Sequence, residues 1–299
     1  MPVSSVDKII LPERPAALRY CTQIAFPYKL VVSTYELKGG LRRGSLWFVD
    51  DSHSKIKNLQ MSAGVFRFDL FPDGITLVAS LTNGCLSTVN LESFSATDLL
   101  VSMDAMLLSA CVSQQQVLCS DNFGNVHVVD LLSGSPLFRT PCEVWCATWL
   151  NDINYIASGG EDALLKLWDV RCSCQPVACN SSHESGVVFV RKEDDNYLIT
   201  GSYDENIRRF DVRKLEKPLR DLQLNGGVWN VEETSESKLL AACMYNGWIL
   251  LDKTTFSILE RKSDAGDFIL YGAVECNDPS LIASCTFNNY TVHFDKITS

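Results

Sequence analysis

Three residues of the chain have the types of a hydrolytic triad: His183, Ser202 and Asp204. Such a set can activate a hydroxyl nucleophile, yet no Gly-x-Ser-x-Gly turn surrounds Ser202 to expose it. A second group joins acids to aromatic rings. Glu143-Val144-Trp145 and Gly227-Val228-Trp229 repeat one pattern, and Tyr271 and Glu275 flank a similar Gly272-Ala273-Val274. Ring faces attract a cation by about 0.5–2 kcal/mol each and a carboxylate adds Coulomb attraction, so an acidic, ring-lined cup would suit a cationic group. Packing between neighbouring elements is the other reading of the two tryptophans, and both stand at this point.

The remaining reactive residues fit structural roles. Cys172-Ser173-Cys174 with Cys179 has the softness of a metal clip, but it lacks a second spaced pair or a nearby His and reads as a surface loop. Cys243 and Cys285 occupy matching places and read as buried thiols. His53 falls in a polar loop, and His127 and His293 fall in strand-like runs, which leaves His183 as the histidine of a leading loop. No His-Glu-x-x-His, phosphate loop or dinucleotide fingerprint occurs, so neither a metal nor a cofactor is expected.

These residues must be positioned by a repeating scaffold. An apolar residue followed by Asp or Asn recurs as Val49-Asp50, Val89-Asn90, Val129-Asp130, Trp168-Asp169, Phe210-Asp211, Leu251-Asp252 and Phe294-Asp295. The steps are 40, 40, 39, 42, 41 and 43 residues, which makes seven units. Turn clusters such as Asn83-Gly84 and Tyr245-Asn246-Gly247 precede the pairs, and short apolar runs such as Leu198-Ile199-Thr200 precede the clusters. Such runs punctuated by Gly, Asn and Asp are strand signals, and no long stretch has helical spacing. Four strands per forty residues, repeated radially, solve the open-edge problem as a β-propeller. The expected fold is therefore all-β: a seven-bladed β-propeller forming a single domain over 1–299. The last unit stops just after Phe294-Asp295, so the run Val3–Leu11 is expected to supply its outer strand and close the ring.

Composition narrows the function classes. The chain has 299 residues, a formal charge of −10 and 46% hydrophobic content, with 12 cysteines. The acidic balance argues against nucleic acid and against a polybasic membrane contact. No apolar run approaches the roughly 18 residues of a membrane span, and residues 1–11 hold no signal-like core. The cysteines then read as reduced thiols, and a cytoplasmic location is expected.

The pattern resembles the WD-repeat family over nearly the whole chain, best at Trp168-Asp169 and at Gly201-Ser202-Tyr203-Asp204 with Phe210-Asp211. In that family a rim His is often tied to an Asp of the turn between second and third strands, through a Ser or Thr and a Trp. The resemblance therefore offers His183, Ser202 and Asp204 a structural relay, with Phe210 in place of the Trp, beside the catalytic reading.

From residue 143 onward the wording is more specific. Glu143-Val144-Trp145, Ser158-Gly159-Gly160-Glu161-Asp162, Trp168-Asp169-x-Arg171, His183-x-x-Gly186-Val187, Gly226-Gly227-Val228-Trp229, Leu240-Ala241-Ala242-Cys243-Met244 and Tyr271-Gly272-Ala273 look like the diphthine methyltransferase family. One position departs: Thr140 stands where members tend to carry a His. Despite its name, that family is associated with hydrolysis of the methyl ester of methylated diphthine on elongation factor 2. The resemblance implies a substrate with a trimethylammonium group beside a methyl ester. Trp145, Trp229 and Tyr271, with Glu143 or Glu275, would hold the cation. His183 or Glu143 would serve as general base, and backbone N–H groups around Gly226 and Gly227 would help the oxyanion.

The repeat pairs also allow a non-catalytic role. Trp168-Asp169-Val170-Arg171 and Phe210-Asp211-Val212-Arg213 resemble the motif of WD-repeat substrate receptors of cullin-type ubiquitin ligases. Arg171 and Arg213 would then make an adaptor contact.

Overall fold

The computed structural model describes residues 3–21, 27–113, 116–130, 133–140, 142–151, 154–172, 175–263 and 266–297. Among the described residues the chain forms seven four-stranded antiparallel sheets and one two-stranded hairpin, with a single 3₁₀ turn at Gly266–Phe268 and no α-helix. Five sheets use four strands consecutive in the sequence, and a sixth, Pro15–Tyr20, Tyr28–Thr34, Ser45–Asp50 and Ile56–Gln60, is interrupted by the hairpin between its second and third strands. The seventh takes its outer strand, Val3–Ile10, from the start of the chain. That strand pairs antiparallel with Thr291–Ile297, from Val3 opposite Ile297 to Ile10 opposite Thr291. This is the seven-bladed propeller order closed by the N-terminal strand, as the repeat predicts.

The recurring Asp or Asn has a local cause. It ends the third strand in six of the seven sheets, and in five of them its side chain accepts N–H groups of the turn that follows. Asp50 takes those of Ser54 and Lys55 at 2.9 and 3.0 Å. Asn90 does the same for Glu92 and Ser93, and Asp252 for Thr254 and Thr255. Asp169 and Asp211 take the N–H groups of Arg171 and Arg213. Asp295 differs, because the last pair is one residue out of register. It lies opposite Ile282, level with Phe210 and not with Asp211. There it is fully buried and accepts from Lys262 Nζ at 2.6 Å and Trp248 Nε1 at 3.2 Å.

The described residues group into two compact units. A terminal unit comprises Met1–Val65 and Leu224–Ser299, and a central unit comprises Phe66–Gln223. In the terminal unit, Leu18, Leu30, Val32, Val274, Val292 and Phe294 form one buried cluster, while Trp248, Leu250, Leu270 and Ile282 form another. In the central unit, Leu165, Val187, Leu198 and Phe210 pack together, as do Leu118, Val144, Trp149 and Trp168. Each fully buried side chain of this size stabilises the fold by roughly 1.5–3 kcal/mol relative to exposure.

First strands share one irregularity that decides where the rings go. Their registers slip between Pro15 and Ala17, Leu107 and Ser109, Val144 and Cys146, Val187 and Phe189, and Leu270 and Gly272. Each slip inserts one bulged residue, which re-aims its side chain. The bulged residues are Ala16, Leu108, Trp145, Val188 and Tyr271; Phe66 and Trp229 stand at the matching point after the buried Val65 and Val228. Tyr271 is thus the counterpart of Trp145 and Trp229. The expected alignment of Gly272-Ala273-Val274 with the Gly-Val-Trp pattern is wrong by three residues, because the bulge, not the glycine, marks the register.

Candidate functional site

In the central unit the bulge turns Trp145 toward other rings. Its ring centre lies 6.2 Å from Phe66 and 6.3 Å from Tyr203, edge-on to the latter. Its indole Nε1 donates to Glu161 Oε2 at 3.0 Å. Glu161 and Tyr203 each follow the last residue of a second strand, Tyr155–Gly160 and Tyr197–Ser202. Gly186 fits between them: a Cβ there would stand 3.2 Å from Glu161 Oε2 and 3.3 Å from the Tyr203 ring. The half-buried Glu143 completes the group, and its carbonyl accepts the Glu161 N–H at 3.0 Å. Burial raises the Glu143 carboxyl above the ordinary carboxylate range, and the charge of Glu161 raises it further. The arrangement offers ring faces and two carboxyl groups, one oriented by an indole and one with enhanced basicity.

The terminal unit uses the matching positions differently. Trp229 is 3% exposed and stacks on Tyr271 at 4.6 Å and 19°. Tyr271 contacts Phe287 at 5.0 Å, and Phe287 contacts Tyr35 at 6.3 Å. The Arg14 guanidinium lies 5.1 Å from the Phe287 centre and 5.6 Å from that of Tyr290. For Trp229 the packing reading is therefore the one the geometry supports. Glu275 is not at this stack. It closes the far end of the strand Leu270–Glu275, accepts the Ser235 N–H at 2.8 Å, and lines a separate 420 Å³ cavity with Tyr20, Glu232 and Glu233. Expecting it beside Tyr271 ignored the length of the strand, about 3.3 Å per residue. Gly226 and Gly227 are both buried in this unit, and a Cβ on Gly226 would meet the Cys243 carbonyl at 2.3 Å. Packing alone demands that glycine.

His183 is sealed. Its side chain has no exposure, and both ring nitrogens are engaged. Arg208 NH1 approaches Nδ1 at 2.5 Å and Asp204 Oδ2 at 2.6 Å, bridging the two. A guanidinium only donates, so Nδ1 accepts and Nε2–H donates to Thr200 Oγ1 at 2.9 Å. Burial lowers the His183 pKa, and the Arg208 charge works in the same direction against Asp204. Burial alone would raise the Asp204 carboxyl, but hydrogen bonds from the Glu184 N–H, Arg208 and the Asn206 N–H hold it far below its usual range. The hydroxyl of the tie belongs to Thr200. Ser202 Oγ instead donates to the Ser185 carbonyl and accepts the Asp204 N–H. The three triad-like residues are thus a buried strut, and a general-base role for His183 is removed by the loss of access to water. In the preceding sheet Trp168 Nε1 donates to Ser158 Oγ at 2.8 Å, while Thr140 there bonds the Cys142 carbonyl.

The thiols follow suit. Cys243 and Cys285 are fully buried, and burial pushes the Cys243 thiol up, away from nucleophilic use. Cys172 and Cys179 are exposed, whereas Ser173 and Cys174 lie outside the described residues. Arg171 and Arg213 each grip their own Asp169 and Asp211 through two nitrogens, with more than half of each arginine side chain exposed. Sequence reasoning missed Phe66, Glu161, Tyr203, Tyr35 and Phe287. A signal existed for the last four, because each directly follows the end of a second strand.

With this geometry in place, comparison with known proteins is informative. Residues 131–169 match the model of the WD domain, G-beta repeat. A Mus musculus protein named diphthine methyltransferase is 32% identical over 162 residues, half of this chain and 33% of that protein. Its Schizosaccharomyces pombe namesake is 28% identical over 290 residues, covering 86% of this chain and 87% of that one. The chain is thus similar to proteins named diphthine methyltransferase and, over residues 131–169, to the WD domain. It spans about a third of the mouse relative's length but most of the yeast one's. A shorter match, 31% over 114 residues and 20% of the other protein, is to a Caenorhabditis elegans DDB1- and CUL4-associated factor 11 homolog. Among solved structures, the WD40 β-propeller domain of Doa1 superposes with a TM-score of 0.78 at 13% identity, over 100% of this chain and 98% of that one, which shows the fold.

Proposed function

We propose that the chain hydrolyses the methyl ester of methylated diphthine on elongation factor 2, giving diphthine within diphthamide biosynthesis, in the cytoplasm. The observation that carries this reading is the central-unit cluster: Trp145 anchored by Glu161, the Phe66 and Tyr203 rings beside it, and Glu143 with its pKa raised. The rings and Glu161 suit a trimethylammonium group. Glu143 is then the base: it takes a proton from water as the water oxygen bonds to the ester carbon. The C–OCH₃ bond breaks, and Glu143 returns the proton to the departing methoxide, so methanol leaves and the carboxylic acid formed releases its proton to solvent, giving the carboxylate. The substrate's own cation helps to stabilise the developing oxyanion. The names of the mouse and yeast relatives support the same pathway.

The test is incubation of the purified protein with elongation factor 2 bearing methylated diphthine, scored by mass spectrometry. Loss of the ester methyl is expected, and an unchanged mass overturns the proposal. A second reading, a ubiquitin-ligase adaptor, is favoured by the nematode match and by the exposed Arg171 and Arg213. Replacing both arginines with Ala would then abolish a ligase complex and leave hydrolysis intact.

A further inference from the structure

Among the described residues, one pair of strands belongs to none of the seven four-stranded sheets. The hairpin Glu36–Lys38 and Leu41–Arg43 is inserted between the strands Tyr28–Thr34 and Ser45–Asp50. Its base is fixed to the terminal-unit stack: Tyr35 lies 6.3 Å from Phe287, and Tyr290 Oη donates to Glu36 Oε1 at 2.7 Å. Its tip is the two-residue turn Gly39-Gly40, with φ of +59° and +80°, which is the turn that matches strand twist. A Cβ on either glycine would meet nothing within 4 Å, so the tip stands in solvent.

The rest of the hairpin is exposed too. Leu37 and Leu41 are 57% and 59% exposed, and the cross-strand register sets Leu37 opposite Arg42 and Leu41 opposite Lys38. Each leucine therefore shares a face with a cation, Leu37 with Arg42 on one face and Leu41 with Lys38 on the other. Among the described residues, no carboxylate pairs with Lys38, Arg42 or Arg43, while Glu36 is occupied by Tyr290. Residues 36–43 carry three basic groups and one acidic group, a net +2 on a chain of net −10. A lone two-stranded hairpin is marginal in water. This one is held out from the fold at its base, with two apolar side chains and three cations unspent.

We propose that this hairpin is the docking arm for the protein that carries the substrate side chain, inserted into a carboxylate-lined cleft whose apolar walls meet one leucine on each face of the ribbon. The inference rests on the proposed hydrolysis only for the identity of that protein. Charge complementarity selects the partner: the cations would steer an acidic surface, and the leucines would be buried on contact.

The experiment uses the full chain with K38E/R42E/R43E and with L37S/L41S. Binding to full-length elongation factor 2 bearing methylated diphthine is measured by biolayer interferometry at low and high salt. Ester cleavage is measured on that protein and on a short peptide bearing the same modified histidine. The arm predicts that charge reversal weakens binding, and raises KM for the protein substrate, by about tenfold or more, with a smaller salt dependence. Cleavage of the peptide and the Tm stay unchanged. Wild-type affinity in both variants overturns the arm, and so does an equal loss on peptide and protein. If the wild type binds without cleaving while the variants fail to bind, the hydrolysis reading falls and the arm stands.

Discussion

Trp145 in the central unit and Tyr271 in the terminal unit occupy the same extra residue of a bulged first strand, and Glu161 and Phe287 both follow the end of a second strand. The backbone delivers the two pairs to equivalent places. At Trp145 the partner is a carboxylate, held at 3.0 Å, with a second carboxyl nearby whose proton affinity is raised. At Tyr271 the partners are more rings, one of them the buried Trp229, with an arginine of the chain over Phe287. Register decides where a side chain goes, and residue type decides whether that place becomes a chemical site or a packed one.

The largest expected effect separates the two clusters directly. Glu143→Gln should cut kcat for ester hydrolysis by roughly 10²–10⁴-fold, the usual worth of a general base, with an unchanged Tm. Trp229→Ala should do the reverse, costing about 3–5 kcal/mol of stability as a buried aromatic removed, measured by denaturant unfolding, while the folded fraction keeps its kcat. If Trp229→Ala abolishes hydrolysis at full stability, the stack is part of the site and the contrast fails. Next in size, Trp145→Ala should raise KM about tenfold, consistent with the loss of up to 2 kcal/mol of cation–ring attraction. A neutral substrate analogue lacking the trimethylammonium group should be indifferent to the change.

The pH dependence sharpens the comparison further. Hydrolysis needs Glu143 ionised, so its rate should rise through a pKa above the ordinary carboxylate range. Glu161→Gln removes the neighbouring charge but not the burial, so the acid limb of the rate profile should move to lower pH. Stability should follow the buried strut instead. His183 has a lowered pKa, so its contribution is complete above about 6.5 and is lost as pH falls through the folded value, because the unfolded chain takes up the proton first. Asp204 adds a further loss at lower pH for the same reason, its carboxyl also being depressed. His183→Gln should flatten the first of these steps in pH-dependent unfolding.

The seven-sheet plan was legible because the Asp or Asn that closes each third strand is chosen by a local turn, and local chemistry repeats visibly. Asp295 escaped because the turn before it, between Thr286 and Thr291, is longer than its counterpart in the sheet of residues 187–223. One extra residue there moved the acid from a turn to the interior. Glycine spacing sets Tyr271 outside the aligned pattern, and the bulge that brings it into line with Trp145 leaves no fixed residue signature. The cup's acid and aromatic types were readable, but pairing Trp145 with Glu161 and Tyr203 depends on two different hairpins meeting at one end of their sheets. His183 looked accessible because its loop is polar. Arg208, which encloses it, lies in Asn206–Asp211, the third strand of the same sheet, in a run that otherwise reads as plain strand.

The pairing of Val3 with Ile297 has a consequence for how the protein is made. The strand Val3–Ile10 leaves the ribosome long before its mate, which begins only at Thr291, and has to wait for it. At synthesis rates of about 5–20 residues per second, the delay is on the order of tens of seconds. Through that interval the nascent polypeptide carries a sticky, unmated ribbon, and its protection by chaperones during translation becomes a determinant of yield.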